Sequence, residues 1–252
     1  MRRTAHREKE DLFMANVLVT GTGREMALGF CFVRCYLAHG DHVIATVRKP
    51  SEALERLKAQ YPDQLDILTM DVASTASVEA AAEEAAKRIP CLDVLINNAV
   101  VTSPDYPVHN SFEDCNLDYI AGVVDVGAVG PLRVVKAFLP LLYKSAGTAV
   151  VANISSGAGS IGTCKNDRDF DYNMTKCALN MGTMILHNKF KAERKVRALC
   201  IHPGWMRTNE GNAKAPLDPY ENAENMRRIF EERREDFDGP VFLDYRNEEY
   251  PW

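Results

Sequence analysis

No stretch of this sequence is apolar over the ~18 residues needed to cross a bilayer, and the charged opening residues lack the apolar centre of a secretory signal. The sequence therefore reads as a cytoplasmic protein with no membrane partner. Positive charge is also short: 30 Lys and Arg stand against 35 Asp and Glu, a formal net charge of −5. That balance gives no electrostatic reason to expect nucleic acid. Seven cysteines form no CxxC pair, and their odd number suits reduced thiols rather than a disulfide framework. Their scatter predicts no metal site. No remaining histidine, His109, His187 and His202 included, has an acid partner at a telling spacing, so these read as structural. Internal repeats and low-complexity segments are lacking too.

What is present is a regular alternation. From Asn16 the chain moves between short β-rich apolar runs and segments of helical period. Strands are expected at Asn16–Thr20, His42–Val47, Leu65–Met70, Leu92–Ile96, Thr148–Ile154 and Val196–His202, with a last one near Val241–Leu243. Helices are expected at Met26–His39, Ser51–Gln60, Ser74–Arg88 (with Ser74 as N-cap), Leu117–Tyr143 and Tyr172–Ala192. Strands spaced by helices predict an α/β, doubly wound Rossmann fold: one domain over residues 14–252 around a seven-stranded, mostly parallel sheet. Residues 1–13 read as a disordered extension. Pro216–Glu221 is a candidate flexible lid, and Arg227–Asp238 a solvated helix face.

In such folds ligands sit beyond the carboxyl ends of the strands. The polar clusters fall there: Thr20-Gly21, Arg48-Lys49, Asp71-Val72, Asn97-Asn98-Ala99, Ser155-Ser156 and Pro203-Gly204. Tyr172 and Lys176, four apart, share one helix face. A lysine ammonium beside a phenol favours phenolate and would lower the Tyr172 pKa, making it a usable acid near neutral pH. A strand-end serine can hold the reacting oxygen. The second strand ends in Val47-Arg48-Lys49, without the acid that would grip a ribose 2′-hydroxyl. Arg48, helped by Arg24, suits a 2′-phosphate.

TG at Thr20-Gly21, NNA at Asn97–Ala99, ISS at Ile154–Ser156, YxxxK at Tyr172–Lys176 and the later PG…T together resemble the short-chain dehydrogenase/reductases. NISSGAGSIG (Asn153–Gly162), HPGWMRT (His202–Thr208) and FLDYRNEEYPW (Phe242–Trp252) are similar to the C-factor-like carbonyl reductases within them. The resemblance implies Ser156, Tyr172 and Lys176 as catalytic residues, with Ser155 a structural neighbour. It implies cofactor contacts at Gly21, Ala27, Leu28, Gly29, Asp71, Val72, Asn98, Ala99, Pro203, Gly204 and Thr208, shared with Tyr172 and Lys176. The expected cofactor is NADP(H) rather than NAD(H). The expected activity interconverts a ketone or aldehyde with its alcohol in a homodimer or homotetramer.

Three departures from the family pattern carry expectations. TGTGREMALG (Thr20–Gly29) places Ala27-Leu28-Gly29 where Gly-x-Gly is usual, after two extra residues, and reads as a stretched dinucleotide loop with Glu25 turned to solvent. Gly127 stands where the family has an Asn, which predicts slowed turnover. Val100 replaces a glycine after Asn97–Ala99. An impaired NADP(H)-binding sensor is the alternative function, whereas an enoyl reductase would need a longer Tyr-to-Lys spacing. Substrate would meet Val100–Asn110, Gly157–Phe170 and Trp205–Asn225.

Overall fold

The computed structural model describes residues 14–101, 111–208 and 213–252. The expected N-terminal extension, His109, and the substrate segments 102–110 and 209–212 lie outside them. Seven strands form one sheet: β1 (Asn16–Thr20), β2 (His42–Val47), β3 (Leu65–Thr69), β4 (Val94–Asn97), β5 (Ala149–Ile154), β6 (Val196–His202) and β7 (Phe242–Asp244). Their order is β3-β2-β1-β4-β5-β6-β7, and every neighbouring pair is parallel. The helices are α1 (Leu28–Ala38), α2 (Glu52–Gln60), α3 (Thr75–Ala85), α4 (Leu117–Val124), α5 (Gly130–Leu142), α6 (Phe170–Lys191) and α7 (Pro219–Glu232).

A parallel sheet covered on both faces needs apolar side chains on both, which is why its strands read as nearly unbroken apolar runs. Alternation then sorts them. Val17 and Val19 of β1 pack with Phe32 of α1 and Phe230 of α7, whose rings lie 6.1 Å apart. Leu18, between them, faces Val134 and Phe138 of α5 on the opposite side. Ser51 and Ser74 cap α2 and α3, accepting from the amides of Leu54 and Ser77.

The strand order reverses direction between β1 and β4, so the loops after Thr20 and after Asn97 part there and leave a crevice. Thr20 ties the two together: its Oγ1 accepts from the amides of Asn98 and Ala99, each at 3.0 Å.

Three elements differ from expectation. The long helix is interrupted by a π-helical turn, Asp125–Val129, between α4 and α5. Gly127 lies in that turn, where the extra residue per turn removes ideal α spacing. Segment 216–221 is anchored rather than a free lid. Leu217 accepts from the Arg207 amide at 3.0 Å, and Asp218 caps α7 through the amides of Tyr220 and Glu221. Nor is Arg227–Asp238 a wholly solvated face, because Ile229, Phe230 and Phe237 are buried in the core. Among the described residues no helix is long and apolar enough to cross a membrane.

Candidate active site

The crevice is an open cleft of about 510 Å³. One wall is the loop between β1 and α1. Gly21 adopts φ +72°, and a Cβ there would lie 2.7 Å from the Ala99 Cα. Only glycine suits both the conformation and the approach. At Gly29, in the first turn of α1, a Cβ would run into the Asn98 side chain and the Gly21 carbonyl. Asn98 closes this corner, its Nδ2 donating to Thr20 O at 2.9 Å and Gly21 O at 3.2 Å. The α1 N-cap, Ala27, offers no side-chain hydrogen bond, and no acid occupies the first turn. The free amides and helix dipole at this end suit a pyrophosphate. Glu25 points away as expected, exposed and paired with Arg56 at 3.0 Å.

A second wall follows β2. Arg24, Arg48 and Lys49 line it together with Ser51. Sequence reading passed over Ser51. Its Oγ donates to Gly23 O at 2.8 Å, so one residue caps α2 and pins the stretched loop. The deeper floor is made by Asp71, Val72, Ala99, Val100 and Val126. Pro203, Met206 and Thr208 border the far end. Gly29 and Gly204, both expected cofactor contacts, are not among the lining residues, whereas Ala27 and Leu28 are. Gly29 instead serves the packing behind the loop.

The third wall joins β5 to α6. Ile154, Ser155, Tyr172 and Lys176 line it. Lys176 is buried and donates to Ile154 O at 2.8 Å, with its ammonium 5.6 Å from the Tyr172 ring centre. Burial lowers its pKa to about 8. Tyr172 lies in the first turn of α6, two residues inside the helix rather than at its start. The Tyr172 side chain is 41% exposed to the cleft; packing around its phenol raises the pKa, and a hydrogen bond to Ser156 acts to lower it. The net shift is upward, opposite in sign to the depression expected from Lys176.

Behind this wall runs a polar relay that sequence reading missed. Ser155 Oγ donates to Asn180 Oδ1 at 2.6 Å, and Asn180 Nδ2 donates to Gly159 O at 3.1 Å. Asn153 bridges Asn97 and Thr183, both at 2.8 Å. The signal was available, since Tyr172, Lys176, Asn180, Thr183 and His187 recur at helical spacing along one face of α6. Gly127 abuts this face too: a Cβ there would strike the Thr175 methyl.

Away from the cleft, Cys35, His39 and Glu224 bring metal-binding atom types within 4.8 Å of one another. Glu224 is already engaged by His39 at 2.9 Å. Burial pushes the Cys35 thiol well up, so it is protonated at neutral pH. All seven cysteines are free thiols.

The family model for short chain dehydrogenases matches residues 15–216. The C-signal protein of Myxococcus xanthus is 33% identical over 161 residues, covering 64% of this chain and 93% of the relative. A short-chain dehydrogenase of Pyricularia oryzae is 31% identical over 244 residues, covering 90% and 94%. Among solved structures, an NADPH-bound carbonyl reductase from chicken fatty liver superposes with a TM-score of 0.83 at 28% identity, covering 95% of this chain and 99% of that one. The carbonyl reductase Sniffer of Drosophila melanogaster gives 0.84 at 25% identity, covering 95% and 100%. With four-fifths of its length matched by that family model and a 31% identical relative covering nine-tenths of it, the chain belongs to the short-chain dehydrogenase family.

Proposed function

We propose that this protein is an NADP(H)-dependent carbonyl reductase or alcohol dehydrogenase. The observation that carries the reading is the convergence of Ser155, Tyr172 and Lys176 on one wall of a cleft whose opposite wall is a glycine loop flanked by Arg48; Ser156 is not among the lining residues but is hydrogen-bonded to the Tyr172 phenol. The dinucleotide would lie with its pyrophosphate at the α1 N-terminus and its adenine between Asp71 and Val72. Its 2′-phosphate would meet Arg48 and Arg24, which favours NADP(H) over NAD(H). Asn98, Ala99, Pro203 and Thr208 would border its nicotinamide half. When bound, the nicotinamide supplies or accepts the hydride at the substrate carbon.

The chain's own residues handle the proton. Ser156 donates a hydrogen bond to the substrate oxygen, holding it beside Tyr172. The Tyr172 phenol gives its proton as that oxygen gains negative charge, and takes one back in the reverse direction. Lys176, an ammonium below about pH 8, holds the ribose and favours the phenolate once the phenol has given up its proton. Cofactor binding brings anionic groups towards this lysine and opposes the burial that weakens it.

A second reading is an NADP(H)-binding sensor without turnover. Gly127 favours it, because a glycine offers no side chain where the family pattern has an asparagine. The deciding experiment follows NADPH absorbance over a panel of ketones and aldehydes. Turnover by the wild type, reduced at least a hundredfold in Tyr172→Phe, supports the enzyme. NADPH binding with no turnover in either protein supports the sensor.

The same reading includes a cytoplasmic setting, in line with seven free thiols, and a homodimer or homotetramer. Leu117 on α4 and Met181 and Ile185 on α6 are about 60% exposed, an apolar surface that a second copy would cover. Sedimentation equilibrium reads the assembly directly, and a monomer at micromolar concentration would refute it.

A further inference from the structure

β6 ends on His202, whose imidazole folds back onto the loop leaving β5. Its Nδ1 accepts from the Gly157 amide at 2.9 Å and from the Gly204 amide at 3.4 Å. An accepting Nδ1 carries no proton, so the ring is the neutral Nε2–H form. Gly157 directly follows Ser156 and opens a single 3₁₀ turn, Gly157–Gly159, in which Ser156 Oγ accepts from the Ala158 amide at 3.2 Å. That acceptance fixes the hydroxyl oxygen and leaves its proton directed at Tyr172, with which Ser156 is hydrogen-bonded.

The other face of the His202 ring is held by the end of the chain. Tyr250 meets it edge-on, with ring centres 5.0 Å apart, and packs in turn on Phe242 at 5.1 Å. Trp252 packs on Phe242 at 5.3 Å, and its carbonyl accepts from the Gly162 amide at 2.6 Å. A tight reversal after β7 brings these residues back. Asp244 accepts from the amides of Arg246 and Glu248, Asn247 takes φ +68°, and Tyr250 N donates to Phe242 O at 2.9 Å. The fit is close, since a Cβ on Gly157 would lie 2.7 Å from the Tyr250 hydroxyl. His202 thus holds the start of loop 157–162 and Trp252 its end.

We propose that His202 is a positioning residue for Ser156, and that Tyr250–Trp252 is the strap that keeps both the imidazole and the loop in place. The catalytic part rests on the reading of Ser156 as the group that orients the substrate oxygen. A serine held this way presents its proton to the cleft without sampling other rotamers. Losing the Nδ1 acceptor frees the Gly157 amide, unwinds the 3₁₀ turn and lets the hydroxyl wander. A displacement of about 1 Å at such a group lowers turnover on the order of a hundredfold. The adenine and pyrophosphate part of the cleft, built on α1 and β2, is untouched.

The test compares His202→Asn, whose side-chain oxygen can replace Nδ1 as acceptor, with His202→Phe, which keeps a flat ring and removes the acceptor. A third variant ends at Glu249. Amide hydrogen exchange of segment 156–163, NADPH affinity, thermal midpoint, and kcat and KM with a carbonyl the wild type reduces are measured on each. In His202→Phe and the shortened chain, exchange of the segment should accelerate at least tenfold and kcat fall at least tenfold. NADPH affinity should stay within twofold. His202→Asn should recover exchange and kcat to within about threefold of wild type. Unchanged exchange in His202→Phe would overturn the proposal, as would His202→Asn losing kcat as fully as His202→Phe at an unaltered thermal midpoint. Exchange is read without substrate. Faster exchange with no wild-type turnover on any carbonyl would count against the enzyme reading alone, while the hold of His202 on the loop would stand.

Discussion

Lys176 is held where its charge is poorly solvated, and that sets a measurable trade between stability and chemistry. Burial brings its pKa to about 8, against an ordinary value near ~10.4 in the unfolded chain. Between these values the unfolded chain binds a proton that the folded protein does not, so stability rises with pH across that window. At pH 7 the folded protein carries a buried ammonium at a penalty on the order of 3 kcal/mol. Lys176→Met removes it, and also removes the hydrogen bond to Ile154 O, worth about 1 kcal/mol. The apo variant should therefore gain on the order of 1–2 kcal/mol at pH 7 and lose the rise above pH 8. Urea unfolding at pH 7, 8 and 9.5 measures both, and carbonyl turnover should disappear. Arg48 is tested through affinity instead. Its side chain lines the cleft at the end of β2, where no acid competes for a ribose hydroxyl. Arg48→Asp should weaken NADPH about 10- to 100-fold, the range of one or two charge-assisted hydrogen bonds, and should tighten NADH. Fluorescence titration with both dinucleotides checks it, and an unchanged ratio of the two would assign the 2′-phosphate elsewhere.

Elements rather than single residues account for what could be read in advance. The rhythm of apolar runs places β1, β2, β5 and β6 almost to the residue, because strands covered on both faces are apolar over most of their length. Tyr172 and Lys176 were legible for the same geometric reason, one helix face. The π-helical turn was not, since nothing in local composition marks a change from α to π winding at Asp125–Val129. Its cause is tertiary. The turn presses Gly127 against the Thr175 methyl of α6, immediately before Lys176. Gly127 and Thr175 are therefore a matched pair, and restoring the family's asparagine at 127 alone overfills the contact. Gly127→Asn should destabilise the protein by about 1–3 kcal/mol, the usual penalty of overpacking. Adding Thr175→Ala removes the obstructing methyl. The Thr175 hydroxyl has no hydrogen-bond partner among the described residues, so this second change loses little. The double variant should recover most of the stability, and, if the asparagine serves the lysine, exceed wild-type kcat. Thermal midpoints of the two singles and the double give the coupling energy. An additive result would show that the two positions do not meet.

At the scale of the whole molecule, the sequence hid a buried charge. Arg197 in β6 read as an ordinary strand residue, yet it is fully buried. Its guanidinium donates to Pro240 O at 2.6 Å and to His187 Nδ1, also at 2.6 Å, so it joins β6, α6 and the segment leading into β7. That arrangement requires a neutral His187. Burial first, and the Arg197 charge second, lower the His187 pKa to about 4. The unfolded chain titrates this histidine near ~6.5. Between pH 6.5 and 4 the unfolded state therefore takes up a proton that the native state refuses, and stability falls as pH falls through this window. The full loss is on the order of 3 kcal/mol. Below pH 4 the native imidazole also protonates, and this contribution stops growing. His187→Gln keeps an acceptor for Arg197 and cannot titrate. It should unfold at a similar urea concentration to wild type at pH 7.5, and at a higher one at pH 4.5. Equal losses in both proteins between those pH values would place the acid sensitivity in the carboxylates instead. A large loss already at pH 7.5 would mean that glutamine cannot satisfy the guanidinium, and His187→Asn, with its shorter reach, would then separate geometry from charge.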